Sequence, residues 1–542
     1  MINFRATISK ANKKLPLKLA ATLLAGASLL GSVLGLIRER LLNGMYADTY
    51  VMGLDAYTVA FTIPDFMFFI LVSGALSVTF IPVFNQRLAT GNKKSAWELS
   101  TSLLNLLAIV TLLVSVLIII FADPLVKYVV GPGLPESGQA LAVSMMRVIA
   151  INPFLFAVAT VLASMQQAVG RFTFFALAPV LYNIGIIIGA VFFTHGISIF
   201  GWQLFEGGIM GVALGVVLGS IMQLVVSGLG LYGMGFDYRF KIYWKNKGLH
   251  QVLRLLPPRS LDQGIDYVNG IVETNLASRL AEGSVRAYQQ ATMLSFVPIN
   301  LIGVAISTAA FPKMTERIGQ GRPDLFKKEL QAVLRVIIWI ALPVTVVAYF
   351  GRGYLIHFIK PGGDALWAGI FGVLAAAILF RSVYFISARS FYARQDTKTP
   401  LYISLFTISL NIALAIWFSM GLRLEVYGLA LAAVLVSAVE VAILFVIMSR
   451  RIEGLFDKTF IQAVGRMLSA TGLLAIITYI LVARMPLGAE DVFISAFVKF
   501  SFIVGVSAIA YIIICRIFKI EEANPILTRV QKILFKKPRI KS

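Results

Sequence analysis

Fourteen stretches of this chain are apolar and long enough to cross a hydrocarbon layer of about 30 Å. They lie near 17–37, 54–80, 99–121, 142–166, 172–194, 208–233, 252–279, 286–311, 332–351, 365–390, 399–419, 426–449, 462–484 and 493–515. No connecting segment is long enough for a soluble domain, so any function belongs within a membrane or at its two faces. With 58% hydrophobic and only 14% charged residues among 542, a water-soluble fold would leave too much apolar surface uncovered. The pattern predicts an all-α polytopic membrane protein of about 14 transmembrane helices.

The formal charge of +22 points to topology and not to nucleic acid, because the cations sit in short loops and in the tails. With the N-terminus inside, about 34 of the 48 Lys and Arg fall on cytoplasmic segments. These include Arg87, Lys93 and Lys94, then Arg239, Lys241, Lys245 and Lys247, then Lys313, Arg317, Lys327 and Lys328. An even number of spans returns the basic tail with Arg529, Lys532, Lys536, Lys537, Arg539 and Lys541 to the same side. Both termini are therefore expected in the cytoplasm, with the basic loops near anionic headgroups. The first span is read as an uncleaved helix, since its apolar run exceeds a signal-peptide core and Arg38 and Arg40 follow it.

Much chemistry is excluded. Cys515 is the single cysteine, and His195, His250 and His357 are far apart, which leaves no disulfide and no thiolate or histidine metal motif. There is no P-loop, H-E-x-x-H or G-x-S-x-G sequence, so neither ATP hydrolysis nor another enzymatic reaction is expected. A membrane glycosyltransferase using Asp48 or Asp55 would lack its usual large external domain. Transport work without ATP draws on an ion gradient or on the membrane potential, about 2.3 kcal/mol per charge per 100 mV.

An internal echo divides the chain. FIPVFNQRLATGN at 80–92 and FPKMTERIGQGR at 311–322 share the spacing P-x4-R-x3-G. GRFTFFALAPVLYNI (170–184) and ARQDTKTPLYISLFTISLNI (393–412) form a weaker pair. Both are offset by about six spans, as expected for parallel repeats. The expected organisation is a basic tail (1–16), an N-lobe (17–233), a C-lobe (252–449), two extra helices (462–515) and a second basic tail (516–542).

Inside this apolar frame, Asp262, Asp266, Asn269 and Glu273 fall on one narrow face of the seventh span, with Arg259 near its edge. Ionisable groups at membrane depth require a wet cavity or a partner. Acids sharing a wall repel unless a cation joins them, so the stripe is a candidate sodium or proton site, with an internal salt bridge to Arg259 or Arg381 as the structural alternative. Thr407 and Asn411 can add neutral oxygens to such an ion. In the first span Ser28, Ser32, Gly35 and Glu39 share a face, with Arg38 toward the outer end. In the second, Asp55, Thr58, Thr62 and Asp65 form a polar side, with Pro64 expected to break the helix. Glu440 is a lone acid of the twelfth span.

The stretches VLGLIRERLL (33–42), LDAYTVAFTIPDFMF (54–68) and SGALSVTFIPVF (73–84) resemble the MurJ/MviN family of lipid II flippases, within the multidrug/oligosaccharidyl-lipid/polysaccharide exporter superfamily. The likeness continues through NPFLFAVATVLASMQQAVGRFTFFALAPVLYNI (152–184), ASRLAEGSV (277–285), FVPINLIGVAISTAAFPKMT (296–315) and FYARQDTKTP (391–400). The resemblance implies two six-helix lobes around a central cationic cavity plus two C-terminal helices. It also implies export of undecaprenyl-diphosphate-linked disaccharide-pentapeptide for peptidoglycan synthesis and cell shape. Arg38 and Asp55 match family functional residues. Other family positions differ: Ser32, Phe68, Phe69, Ser73 and Met293 stand where the resemblance implies arginines or, at Ser73, a glutamate. Arg38, Arg147, Arg259, Arg381 and Arg389 remain as candidate anion contacts, with Ser32, Asp55 and Asp65 beside them. The resemblance also implies a sodium site with an acid on the seventh span, where Asp262 or Asp266 is expected; Thr407 and Asn411, read from spacing alone, are expected either beside such an ion or in helix–helix hydrogen bonds.

The expected function is thus a lipid II flippase of the bacterial inner membrane working by alternating access, with no cofactor beyond a coupling sodium ion or proton. Its expected partners are the lipid-linked glycan, the bilayer and cell-wall synthesis proteins. A flippase for another polyprenyl-linked glycan, a cation-coupled multidrug exporter and a non-transporting cell-wall scaffold are the alternatives.

Overall fold

The computed structural model describes residues 12, 14, 16–73, 79–199, 202–488, 490–525 and 528. It describes the side chains of all of these except 17, 18, 21, 73, 197, 199, 202–204, 257–263, 265 and 266. The described chain is helical almost throughout, and thirteen of its helical segments are long and apolar enough to cross a membrane. The expected fourteenth span is the helix Lys247–Ser278. It has the length, but its polar stripe dilutes its hydropathy.

Two compact units divide the chain, residues 1–286 and 287–542. The first contains α1 (Leu17–Tyr46), α2 (Val51–Phe68), α3 (Ile81–Ala89), α4 (Lys93–Pro124), α5 (Glu136–Ile149), α6 (Asn152–Ala168), α7 (Thr173–Phe192), α8 (Met210–Leu229) and α9 (Lys247–Ser278). The division falls in the first turn of α10 (Ser284–Ile299). The second unit continues with α11 (Ala305–Gly319), α12 (Pro323–Phe350), α13 (Arg352–Ile359), α14 (Ala365–Ala393), α15 (Lys398–Ile416), α16 (Glu425–Arg451), α17 (Lys458–Arg484) and α18 (Phe493–Ile517).

The seventh span, α9, which the sequence reading places at the start of the C-lobe, packs on α2, α3 and α4 and falls within the first compact unit. The reason is apolar: Leu249, Val252 and Leu256 of α9 enter the same core as Phe80, Phe84, Leu99, Leu103 and Met165. The second unit has its own core, where Phe326, Leu330, Leu334 and Ile337 of α12 meet Ile386, Leu444 and Leu474.

A difference from the sequence reading concerns Pro64. It does not interrupt α2, which runs from Val51 to Phe68 and widens into a π turn only at Phe69–Ser73. Similar π turns follow α4 (Leu125–Val130), α10 (Asn300–Val304) and α15 (Trp417–Gly421). Such turns free backbone carbonyls inside a span, and those must find other donors. Arg389 of α14 supplies one, donating to the Val304 carbonyl at 3.1 Å and to Ser307 Oγ and Thr308 Oγ1. A small antiparallel hairpin, Ile197–Ile199 against Trp202–Phe205, also interrupts the helical pattern between α7 and α8.

The repeated P-x4-R-x3-G spacing has the same local structure twice. α3 ends with the Asn92 amide donating to the Arg87 carbonyl at 3.0 Å, and α11 ends with the Arg322 amide donating to the Arg317 carbonyl at 3.0 Å. The intervening Gly91 and Gly321 have φ of 77° and 66°, the left-handed closure that glycine adopts without a Cβ clash.

α7 and α8 touch backbone to backbone. A Cβ on Gly185 would fall 2.2 Å from the Gly219 Cα, and one on Gly189 would fall 2.4 Å from the Gly215 Cα. Lipid gives little hydrophobic drive for helix pairing, so close van der Waals approach at small residues holds this pair together.

Candidate functional site

The described polar residues of the first unit converge where the C-terminal part of α1 meets α2, α7 and the first turn of α10. α1 passes α7 at Gly35, where a Cβ would sit in ordinary van der Waals contact with Asn183 Oδ1 at 3.9 Å. One turn further, Arg38 donates to that Asn183 oxygen at 3.0 Å and to Glu39 Oε1 at 3.0 and 2.5 Å. The other Glu39 oxygen accepts from Arg286 Nη2 at 2.6 Å. Asn43, one turn beyond Glu39 on the same face of α1, accepts from Arg286 Nε at 3.1 Å and Nη2 at 2.8 Å.

One carboxylate therefore serves two guanidinium groups. Charge-assisted bonds of this length are the strong class of protein hydrogen bond. Their exposures separate the two arginines: the Arg286 side chain is 3% exposed, whereas that of Arg38 is 21% exposed. Arg286 is locked in the protein, while Arg38 keeps an open side. Asp65 of α2, half-buried, lies close enough to interact electrostatically with Arg38.

Asp55, at 2% exposure, has a different task. Its two oxygens accept from the Gly283 amide at 2.7 Å and from the Arg286 amide at 2.8 Å. These amides belong to the first turn of α10, which has unpaired donors and a partial positive charge. Asp55 thus caps α10 from α2 and places Arg286 against Glu39.

The other expected residues are dispersed. Ser32 donates to the Ser28 carbonyl at 3.0 Å and, with Thr160, Ser164 and Asn183, lines a cavity of about 710 Å³ within the first unit. Arg147 reaches the Ile119 carbonyl at 3.4 Å on an exposed surface. The side chains of Arg259, Asp262 and Asp266 lie outside the described residues. On the same helix Asn269 donates to Glu273 Oε1 at 2.9 Å. Arg381, a candidate anion contact, faces Glu440 at 3.8 Å within the second unit. Glu440 Oε1 also accepts from Ser404 at 3.3 Å and from Thr407 at 3.2 Å. Thr407, expected among cation ligands, shares its hydroxyl proton between Glu440 and the Ser404 carbonyl at 3.1 Å. Asn411 is buried on the same helix. Among the described residues no group of three or more His, Cys, Asp or Glu side chains is placed to hold a metal ion.

Sequence reasoning missed Arg286, Asn43 and Asn183. A signal for the first existed: Arg286 lies two helical turns before Met293 on the same face, so an arginine lost at one level returns at another.

A family model described as lipid II flippase MurJ matches residues 49–507. The chain belongs to the MurJ family. It is thus a multi-pass protein of a bacterial inner-membrane family. A probable lipid II flippase MurJ of Buchnera aphidicola is 25% identical over 506 residues, covering 92% of this chain and 96% of the relative. One from Thermotoga maritima is 25% identical with the same coverage. A lipid II flippase MurJ of Burkholderia cenocepacia is 27% identical over 70% of this chain and 74% of its own. A solved MurJ structure in an inward closed conformation matches with a TM-score of 0.74 at 21% identity, covering 92% of this chain and 98% of that one. An inward-facing MATE family multidrug transporter matches with a TM-score of 0.66 at 16% identity, covering 79% of this chain and 96% of the other. Both likenesses establish the fold, and the MurJ-family residues discussed above lie on it.

Proposed function

We propose that this chain moves lipid II, the undecaprenyl-diphosphate-linked precursor of peptidoglycan, from the cytoplasmic to the outer leaflet by alternating access. The observation that carries the reading at the level of chemistry is Arg38. It is a guanidinium at membrane depth with an open side, held in place by Glu39 and Asn183. An uncompensated arginine there would be costly, and a site for a diphosphate is what justifies one. Its planar fork suits a phosphate oxygen pair, and the dry surroundings strengthen the contact. Glu39 is shared with Arg286, so the cluster keeps one positive charge, and Arg38 is the side from which a diphosphate can meet it.

The carrier's long apolar tail needs a different surface. The second unit has a groove of about 620 Å³, lined by Val297, Pro343, Val347, Phe500, Val504 and Ile512 among others. These side chains offer almost no polar atoms, which suits a prenyl chain and excludes a headgroup. Both termini are assigned to the cytoplasm by the loop charges, and coupling is assigned to the polar stripe of α9, with sodium or a proton as the ion.

The test is access of lipid II to an externally added hydrolase in cells depleted of their own flippase. This chain should restore cleavage. Arg38→Ala should remove it while leaving protein in the membrane at near-normal amounts, because Arg38 is the partly exposed member of the cluster. Cleavage at the parental level with Arg38→Ala would refute the assignment.

A further inference from the structure

Another cavity lies in the second unit, apart from the apolar groove. It measures about 370 Å³ and is built from α12, α17 and the turn after α18. Its lining includes Arg335, Thr459, Gln462, Arg466, Lys519 and Glu522. Thr459, Gln462 and Arg466 fall on one face of α17, so the helix presents a polar stripe to this space. The cavity sits at the ends of three membrane-spanning helices, on the face that the loop charges assign to the cytoplasm.

Its charges are unequally committed. Arg335 pairs with Glu522 and, at 3.0 Å, with Glu521. Those three groups leave a net charge of minus one. Arg466 and Lys519 make no side-chain hydrogen bond or ion pair among the described residues. Two uncommitted cations from separate elements thus face one small polar space, and the cavity as a whole is net positive.

Lys519 adds an independent observation. It closes α18 with φ of 53°, while its amide donates to the Arg516 carbonyl and the next amide, of Ile520, donates to the Cys515 carbonyl. Glycine serves that left-handed closing position best, and a side chain there is strained. The backbone gains nothing from lysine at 519; what the residue adds is a positive charge directed by a fixed turn.

We propose that this cavity binds a phosphate-bearing headgroup, and that its source is an anionic phospholipid of the surrounding leaflet. Basic pockets between transmembrane helices on the cytoplasmic side suit such headgroups. Arg466 and Lys519 contact the phosphodiester, Gln462 donates a hydrogen bond, Thr459 is held by its own bond to Asp457 at 2.6 Å, and Arg335 offsets one of the two acids. The bound lipid ties α17 and α18 to α12, the helices whose other parts line the apolar groove.

The test uses the purified full-length chain in detergent, with phosphatidylglycerol, phosphatidylcholine and inorganic phosphate as separate probes and native mass spectrometry as readout. Phosphatidylglycerol should bind in preference to phosphatidylcholine. Arg466→Ala and Lys519→Gly should each weaken it about fivefold, the effect of one basic side chain at a membrane surface. Lys519→Gly also serves as the folding control, since glycine relieves the turn: without lipid its thermal midpoint should stay level or rise. Displacement of phosphatidylglycerol by inorganic phosphate would support the phosphate chemistry and reassign its source to the free anion. Equal binding of phosphatidylglycerol by the parent and the double variant, or no preference over phosphatidylcholine, would overturn the proposal.

Discussion

The two units each bury an arginine–glutamate pair, and they do so differently. In the first, Glu39 is clasped by Arg38 and Arg286 at 2.5 and 2.6 Å, and Asn43 and Asn183 take up remaining guanidinium donors. In the second, Glu440 stands 3.8 Å from Arg381, and its nearer partners are the hydroxyls of Ser404 and Thr407. Arg381 is 34% exposed, against 3% for Arg286. The same two residue types thus form a tightly bonded cluster in one unit and a looser pair with a partly exposed cation in the other. Burial of the cation is what separates them: a guanidinium with no route to water depends wholly on its carboxylate, and one with such a route does not.

The strongest way to break this comparison is Glu39→Gln. It strands Arg286 in the interior and should destabilise the protein by about 3–5 kcal/mol, the usual result of removing one partner of a buried pair. Thermal unfolding in detergent measures it, and the double variant Glu39→Gln/Arg286→Met should recover part of the loss. If Glu39→Gln unfolds at the parental temperature, the cluster is not a lock. Glu440→Gln should cost less, about 1–2 kcal/mol, because the amide oxygen still accepts from Ser404 and Thr407 and Arg381 can turn to water. A loss equal to that of Glu39→Gln would erase the distinction.

Asp55→Asn sharpens the picture of how the lock is set. The amide keeps one acceptor and turns a donor toward a backbone N–H, so about 1 kcal/mol of cap energy should go. Hydrogen exchange should rise at the first turn of α10 before it rises elsewhere. A half-buried pair, Asp491 in the turn before α18 and Lys499 on that helix, supplies the control. Hydrogen bonds from Lys499, the Gly488 amide and Ser495 hold the Asp491 carboxyl down at about 2. Its folded value is depressed, so its contribution is complete above about 4, the unfolded value, and fades as pH falls toward 2. Asp491→Asn should flatten that part of the acid-unfolding profile and lower stability at neutral pH, where the contribution is complete, leaving the two proteins alike at the acid end.

Most of the fold was legible because the bilayer demands long apolar helices, and such runs are visible one residue at a time. Arg38 and Asp55 were legible because they sit in distinctive local strings. Their partners were not: Asn183 and Arg286 lie 145 and 247 residues from the groups they bind, and nothing local marks them. The place of α9 was hidden for a related reason. Its count along the chain places it after the repeat boundary, and the count does not reveal that Leu249, Val252 and Leu256 share a core with α3 and α4. Pro64 misled in the opposite sense, since a proline inside a span is tolerated when the freed carbonyl finds another donor.

The glycine seam between α7 and α8 has a mechanical consequence. Helices whose main chains touch, with Gly185 against Gly219 and Gly189 against Gly215, have no side-chain layer in which to slide. They must travel as one plank through any transport cycle. Asn183 is bolted to that plank, so whatever bends during cargo passage has to bend on the α1 side of the Arg38 contact.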